Sequence, residues 1–138
     1  MKNLLLLLAL SFIVLGVRAE EAPAAKAPAP ALSKAEGLKT FLIVLRLPPR
    51  LHDEKAWTEA DNAAVGAHFQ RLKAATEARQ VILAGRTHES GDKTMGLVVF
   101  TATDEAAARE FMNGDPCVAA GVMTATLHPY DLALLRKG

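Results

Sequence analysis

An α+β domain with the element order βαββαβ is the fold this sequence predicts, and three observations predict it. Four short runs of β-branched and apolar residues are separated by two stretches with helical periodicity. Two of the runs, on either side of residues 90–93, are close enough to form a hairpin. Proline and glycine mark the boundaries, most clearly at Pro48-Pro49 and Asn113-Gly114.

Residues 40–47, TFLIVLRL, form a compact apolar run closed by two prolines, as a buried strand would be. From about residue 54 to 79 the chain is rich in Ala, Glu, Lys and Gln, with Asp61, Val65, Phe69, Leu72 and Thr76 at helical spacing. One long amphipathic helix is expected there, with that stripe toward the core. Residues 81–89, VILAGRTHE, are the second strand, SGDK at 90–93 the turn, and residues 95–102, MGLVVFTA, the third strand. Asp104 caps a second helix through residue 112, ended by Asn113-Gly114, two types that tolerate the left-handed conformation. Residues 123–130, MTATLHPY, alternate as the fourth strand. This order is the split βαβ, or ferredoxin-like, arrangement: a four-stranded antiparallel sheet with both helices on one face. The opposite face is left uncovered, and apolar residues on both sides of strands one and three predict a homodimer through the sheet.

The N-terminal 38 residues lie outside that domain. Residues 1–19 hold Lys2, an apolar stretch over 4–15 and Val17-Arg18-Ala19, which puts small or short residues at a signal-peptidase cut. A cleavable signal peptide is expected, with the mature chain starting near Glu20 and residing in the periplasm or outside the cell. The stretch is shorter than the roughly 20 residues of a spanning helix, so an uncleaved anchor is the second choice. The single cysteine, Cys117, is far from the cut. Neither a lipid tether nor an internal disulfide is expected, and stability must come from packing. Residues 20–38 alternate Ala and Pro as a disordered tether, leaving 39–138 as one small domain. Removal of residues 1–19 takes away Lys2 and Arg18 and no acid, leaving 14 basic against 15 acidic side chains, or −1 with His neutral. That balance gives no electrostatic case for nucleic acid.

The chemistry centres on NGDPCVAAGV, residues 113–122, where a lone carboxylate, Asp115, stands between a helix-ending Asn-Gly and a proline. His68 lies about 60° from the axis of the first helix's stripe, at the margin of its buried face. An imidazole there can act as acid or base near neutral pH, with a carboxylate on one ring nitrogen fixing its tautomer. Asp115 leaves the second helix, which packs beside the first in this fold, so a His68-Asp115 dyad is geometrically allowed. A core-edge histidine and a turn aspartate are the plainer reading of the same residues.

These features resemble the YCII-related family. The resemblance rests on a His inside the first helix, ILAGR (82–86) opening strand two, and above all DPCVAAGV (115–122) before LHPY (127–130). It implies a ferredoxin-like dimer akin to the dimeric α/β barrels, an active site made by His68 and Asp115, and a lyase-like step that removes halide from substituted hydroquinones. The sequence departs from the family in having an export signal and in Cys117 where an aromatic usually follows Asp-Pro. By the same reading Pro116 holds Asp115 extended, and Ala119, Ala120 and Gly121 leave room for a ligand.

Other residues carry less. Arg86 and His88 stand two apart on strand two and are expected to face one way, where they could hold an anionic or phenolic substrate. His52, His88 and His128 join His68 as histidines, but none is spaced as a metal ligand, so neither metal nor cofactor is expected. Cys117 has no neighbouring base and reads as a buried small residue. Trp57 reads as packing, and no phosphate loop or internal repeat is present. Two functions remain: a cofactor-free enzyme of small-molecule acid/base chemistry at His68 and Asp115, or a non-catalytic exported binding or assembly module.

Overall fold

The computed structural model describes residues 37–136. The signal peptide expected over 1–19 and most of the tether expected over 20–38 lie outside the described residues. The chain runs β1 (Lys39–Arg46), α1 (Glu59–Glu77), β2 (Val81–Arg86), β3 (Met95–Ala102), α2 (Glu105–Asn113), α3 (Pro116–Ala119) and β4 (Thr124–Pro129). Short 3-10 turns at Pro49–Leu51, Glu54–Ala56 and Gly91–Lys93 fill the connections. The strands form one antiparallel sheet in the order β2-β3-β1-β4, the ferredoxin-like order that βαββαβ requires.

One sheet face carries the main core. Phe41 pairs with Phe100, Ile43 with Val98 and Leu45 with Gly96, so these residues share a face. Leu72 of α1 and Ala108 and Met112 of α2 pack on it, which puts both helices on the same side. Phe100 is fully buried, its ring stacked on Phe111 with centroids 4.6 Å apart. A second, smaller core joins Leu51, Cys117 and Val122 with Trp57 and Val65. It ties α3 and the 3-10 turns to the first half of α1, and so fixes the turn that carries Asp115 against the helix that carries His68.

The helices depart from the periodicity in instructive ways. The expected helix over 54–79 is a 3-10 turn, a break at Trp57-Thr58, and then α1. Thr58 starts α1 with a capping box, its hydroxyl accepting from Asp61 N–H while Asp61 accepts from Thr58 N–H. Asp61 is buried because Arg50 pairs with both of its oxygens, at 2.6 and 3.1 Å, rather than because it belongs to an apolar stripe. Phe69, expected in that stripe, is 63% exposed. The buried face runs instead through Val65, His68 and Leu72 toward Ala75. A left-handed residue does end a helix, but it is Arg79 (φ 62) after α1; Gly114, after α2, has φ −76. Glycine suits position 114 because a Cβ would stand 3.2 Å from the Glu110 carbonyl oxygen and 3.4 Å from the Arg71 guanidinium. No helix among the described residues is long and apolar enough to cross a membrane.

Candidate active site

Asp115 is set by its neighbours on both sides. Pro116 bars the preceding residue from the helical region, and Asp115 is extended at φ −72, ψ 130. Beyond it the chain forms α3, a single turn, rather than an irregular loop. Oδ1 of Asp115 accepts from the Cys117 N–H at 2.9 Å and caps α3. The fully buried Cys117 anchors that turn from below, its carbonyl accepting from the N–H groups of Val122 and Met123. The other carboxylate oxygen, Oδ2, is 2.7 Å from Nδ1 of His68. Cap and side-chain partner are thus both roles of Asp115, one for each oxygen.

Both side chains are largely withdrawn from water, His68 at 14% exposed and Asp115 at 7%. Burial pushes the Asp115 carboxyl up, but His68, the Cys117 N–H and the Arg71 charge outweigh it and hold the group below its ordinary range. An ionised carboxylate only accepts, so the shared proton sits on Nδ1 and Nε2 is the basic nitrogen. Nε2 has no hydrogen-bond partner among the described residues and is not sealed from solvent.

His68 lines a cavity of about 960 Å³ between α1 and the sheet. Its walls are mainly apolar, with Leu45 and Val98 from the sheet, Val65 and Leu72 from α1, and Trp57, whose indole N–H donates to the Leu51 carbonyl at 3.1 Å. The exposed Phe69 stands at its edge. Arg46, Lys73 and Arg86 bring positive charge to the walls; Lys73 pairs with Glu77 at 3.1 Å, whereas Arg86 has no ion pair among the described residues. The cavity thus combines apolar walls and a basic imidazole nitrogen with cationic side chains and the Glu77 carboxylate at its margin.

The residues expected at the site divide. His68 and Asp115 are brought together, and Arg86 lines the same cavity. His88 does not: β2 ends at Arg86, the Thr87 N–H and hydroxyl bond back to Met95, and His88 is exposed in the loop beyond. The strand expected to align it with Arg86 stops two residues short of it. Ala119, Ala120 and Gly121 are not among the cavity walls either. Ala119 ends α3, and Ala120 and Gly121, the latter at φ 70, make the turn toward β4. His52 Nε2 is occupied at 3.1 Å from the Leu47 carbonyl oxygen, and His128 is exposed on β4.

Possible ligand atoms of His68, Asp115 and Cys117 lie within 4.8 Å of one another. The donor chemistry fits a hydrogen-bonded group better than a metal cradle. Both carboxylate oxygens already accept hydrogen bonds, and burial together with Asp115 pushes the Cys117 thiol up to about 11, far from the thiolate that a metal takes. Sequence reasoning missed Arg71, which stands beside Asp115; its spacing of i+3 from His68, which puts the two on one helix face, was the available signal.

No curated protein matches the chain. Among solved structures it is similar to 5-chloro-2-hydroxyhydroquinone dehydrochlorinase from Burkholderia phenoliruptrix AC1100, in complex with 2,5-dihydroxybenzoquinone. The identity is 16%, with 67% of this chain and 93% of that chain covered and a TM-score of 0.47. The profile of the YCII-related domain matches residues 47–127, from the end of β1 into β4 and more than half of the sequence. The chain belongs to the YCII-related domain family.

Proposed function

We propose that this protein is a cofactor-independent, lyase-like enzyme that uses His68 and Asp115 for acid/base chemistry on a small phenolic or halogenated substrate. The observation that carries the reading is the 2.7 Å contact between His68 Nδ1 and Asp115 Oδ2, with Nε2 left free at the wall of an apolar cavity. In loss of HX from a halogenated hydroquinone, Nε2 takes one hydroxyl proton and returns it to the ring carbon that bears the halogen. It then takes a second hydroxyl proton as halide leaves with its bonding pair. The product is a quinone, and no external oxidant is needed. Asp115 stabilises each transient imidazolium, and Arg86, a cation of the cavity wall with no ion pair among the described residues, is assigned to hold a phenolate oxygen. The reading includes export to the periplasm or medium after cleavage near Glu20, and a homodimer through the open sheet face.

The test is halide release. Purified protein is incubated with chlorinated hydroquinones, beside His68→Ala and Asp115→Asn. Each variant is expected to lower turnover by about a hundredfold or more, the usual worth of a positioned acid/base group. Release of halide by His68→Ala at the wild-type rate would overturn the proposal.

A further inference from the structure

Three further features stand out among the described residues. The trio His68, Asp115 and Cys117 is already satisfied by its own hydrogen bonds. A shallow cavity at the start of β1 has no buried polar group aimed into it. The third feature is Arg71, and it is unusual because its guanidinium is only partly satisfied. Nη2 donates to the Phe111 carbonyl at 2.8 Å, and the planar group lies over the Phe111 ring, 4.3 Å from its centroid. Nη1 is buried with no hydrogen-bond partner and points at Asp115, 3.6 Å from Oδ2.

A buried donor left unpaired is costly, so such an arrangement calls for a compensating interaction. The compensating interaction here is the charge of Asp115. Oδ2 is also the oxygen that meets His68, so cation and imidazole share one acceptor. Gly114 lies against the group, where a Cβ would come within 3.4 Å of the Arg71 guanidinium and, more tightly, 3.2 Å of the Glu110 carbonyl oxygen. Phe111 ties the arrangement to the core through its stack on Phe100.

We propose that Arg71 is a positioning residue of this site: braced on Phe111 one turn along α1 from His68, it acts through Asp115 to keep Nδ1 of the imidazole on the carboxylate and Nε2 toward the cavity. The inference rests on the acid/base reading of His68 and Asp115. The charged and titratable groups against Asp115 are His68 and Arg71, both from α1, and the Cys117 thiol of its own α3, whose backbone N–H also donates to it. With Arg71 in place the carboxylate has a fixed counter-charge beside its hydrogen bond to Nδ1, and Nε2 is left toward the cavity. Without Arg71 the carboxylate loses a counter-charge and the neighbour that faces Oδ2, so it takes a proton more readily and its hold on the Nδ1 proton loosens.

Nuclear magnetic resonance on the full chain tests this without a substrate. The ¹⁵N shifts of the His68 ring report its tautomer, and the ¹³C shift of the Asp115 carboxyl reports its titration. In Arg71→Met the Asp115 midpoint is expected to move up and the Nδ1-protonated tautomer to lose population. Arg71→Lys, which restores the charge without the fork, is expected to recover most of the midpoint. If Arg71→Met does not fold, Arg71→Gln gives the same readings, because its amide can still donate to the Phe111 carbonyl while carrying no charge. A folded neutral variant with both readings at their wild-type values would overturn the proposal. Asp115→Asn separates this from failure of the acid/base reading: if it shifts the His68 tautomer while Arg71→Met does not, only the role of Arg71 is lost. If neither does, the dyad itself is lost.

Discussion

Asp61 and Asp115 are the two buried carboxylates among the described residues, and both are held ionised by what surrounds them. Asp61 lies well below the ordinary carboxyl range because Arg50 donates to it, with further hydrogen bonds from the Thr58 N–H and hydroxyl. In the unfolded chain both groups take up protons near 3.8, whereas in the folded protein they stay charged to lower pH. Between those limits the unfolded state binds more protons, so acid shifts the equilibrium toward unfolding. Stability is therefore expected to be level with respect to these groups above about pH 5 and to decline as pH falls below about 4. Urea midpoints measured from neutral pH downward read this directly. Asp61→Asn should be less stable at neutral pH, because Arg50 loses its partner, yet show a shallower acid decline. Parallel declines in the two proteins would mean that the Asp61 charge is not linked to folding.

Helix ends decide how the elements are joined. Beyond α1, the Arg79 N–H bonds to the Thr76 carbonyl and the Gln80 N–H to the Ala75 carbonyl, the paired bonds of a Schellman ending. That ending needs a left-handed residue, and the chain supplies Arg79 at φ 62. A β-carbon in this conformation costs about 1–2 kcal/mol, part of which glycine returns through its freer unfolded chain. Arg79→Gly is expected to stabilise the protein by roughly 0.5–1 kcal/mol, seen as a higher urea midpoint with an unchanged slope. Asp104→Ala should do the reverse at the start of α2, where the Asp104 side chain accepts from the Ala107 N–H at 2.8 Å. Loss of such a cap costs about 1 kcal/mol. A lower midpoint for Arg79→Gly would show that the arginine makes a contact worth more than the strain.

Across the domain, the helices leave one face of the sheet open. Leu83, Val99, Leu42 and His128 form one row across that face, and Gly85, Leu97, Val44 and Thr126 the next. A band of this kind, in a domain small enough to bury only a modest share of its surface, is the basis for expecting a dimer. Light scattering at micromolar concentration is expected to return about twice the chain mass. Val44→Lys, which sets a charge at the centre of the band, is expected to return the monomer with its fold intact by circular dichroism. A monomeric wild-type protein would remove the dimer and any site shared across it.

The order βαββαβ was legible because it depends on local pattern: runs such as FLIVL bury themselves as strands wherever they pair, and the hairpin needs only a short turn. His68 and Asp115 were legible as candidates because few other side chains combine their chemistry with positions near the buried face. Three features depended on contacts distant in sequence. Phe69 was read as core because periodicity records spacing and not the rotation of a helix, which the second core around Leu51, Cys117 and Val122 decides. His88 was aligned with Arg86 on the assumption that the strand continues, and where a strand ends is set by its partner's register. Arg71 reads locally as a solvated helix residue. Its position beside Asp115 exists only because α3 packs against α1, 40 and more residues later in the chain. Sequence by itself therefore determined the set of elements and the chemical types available to the site. Tertiary packing decided which of them meet, because charge pairing and burial depend on distances that no local pattern encodes.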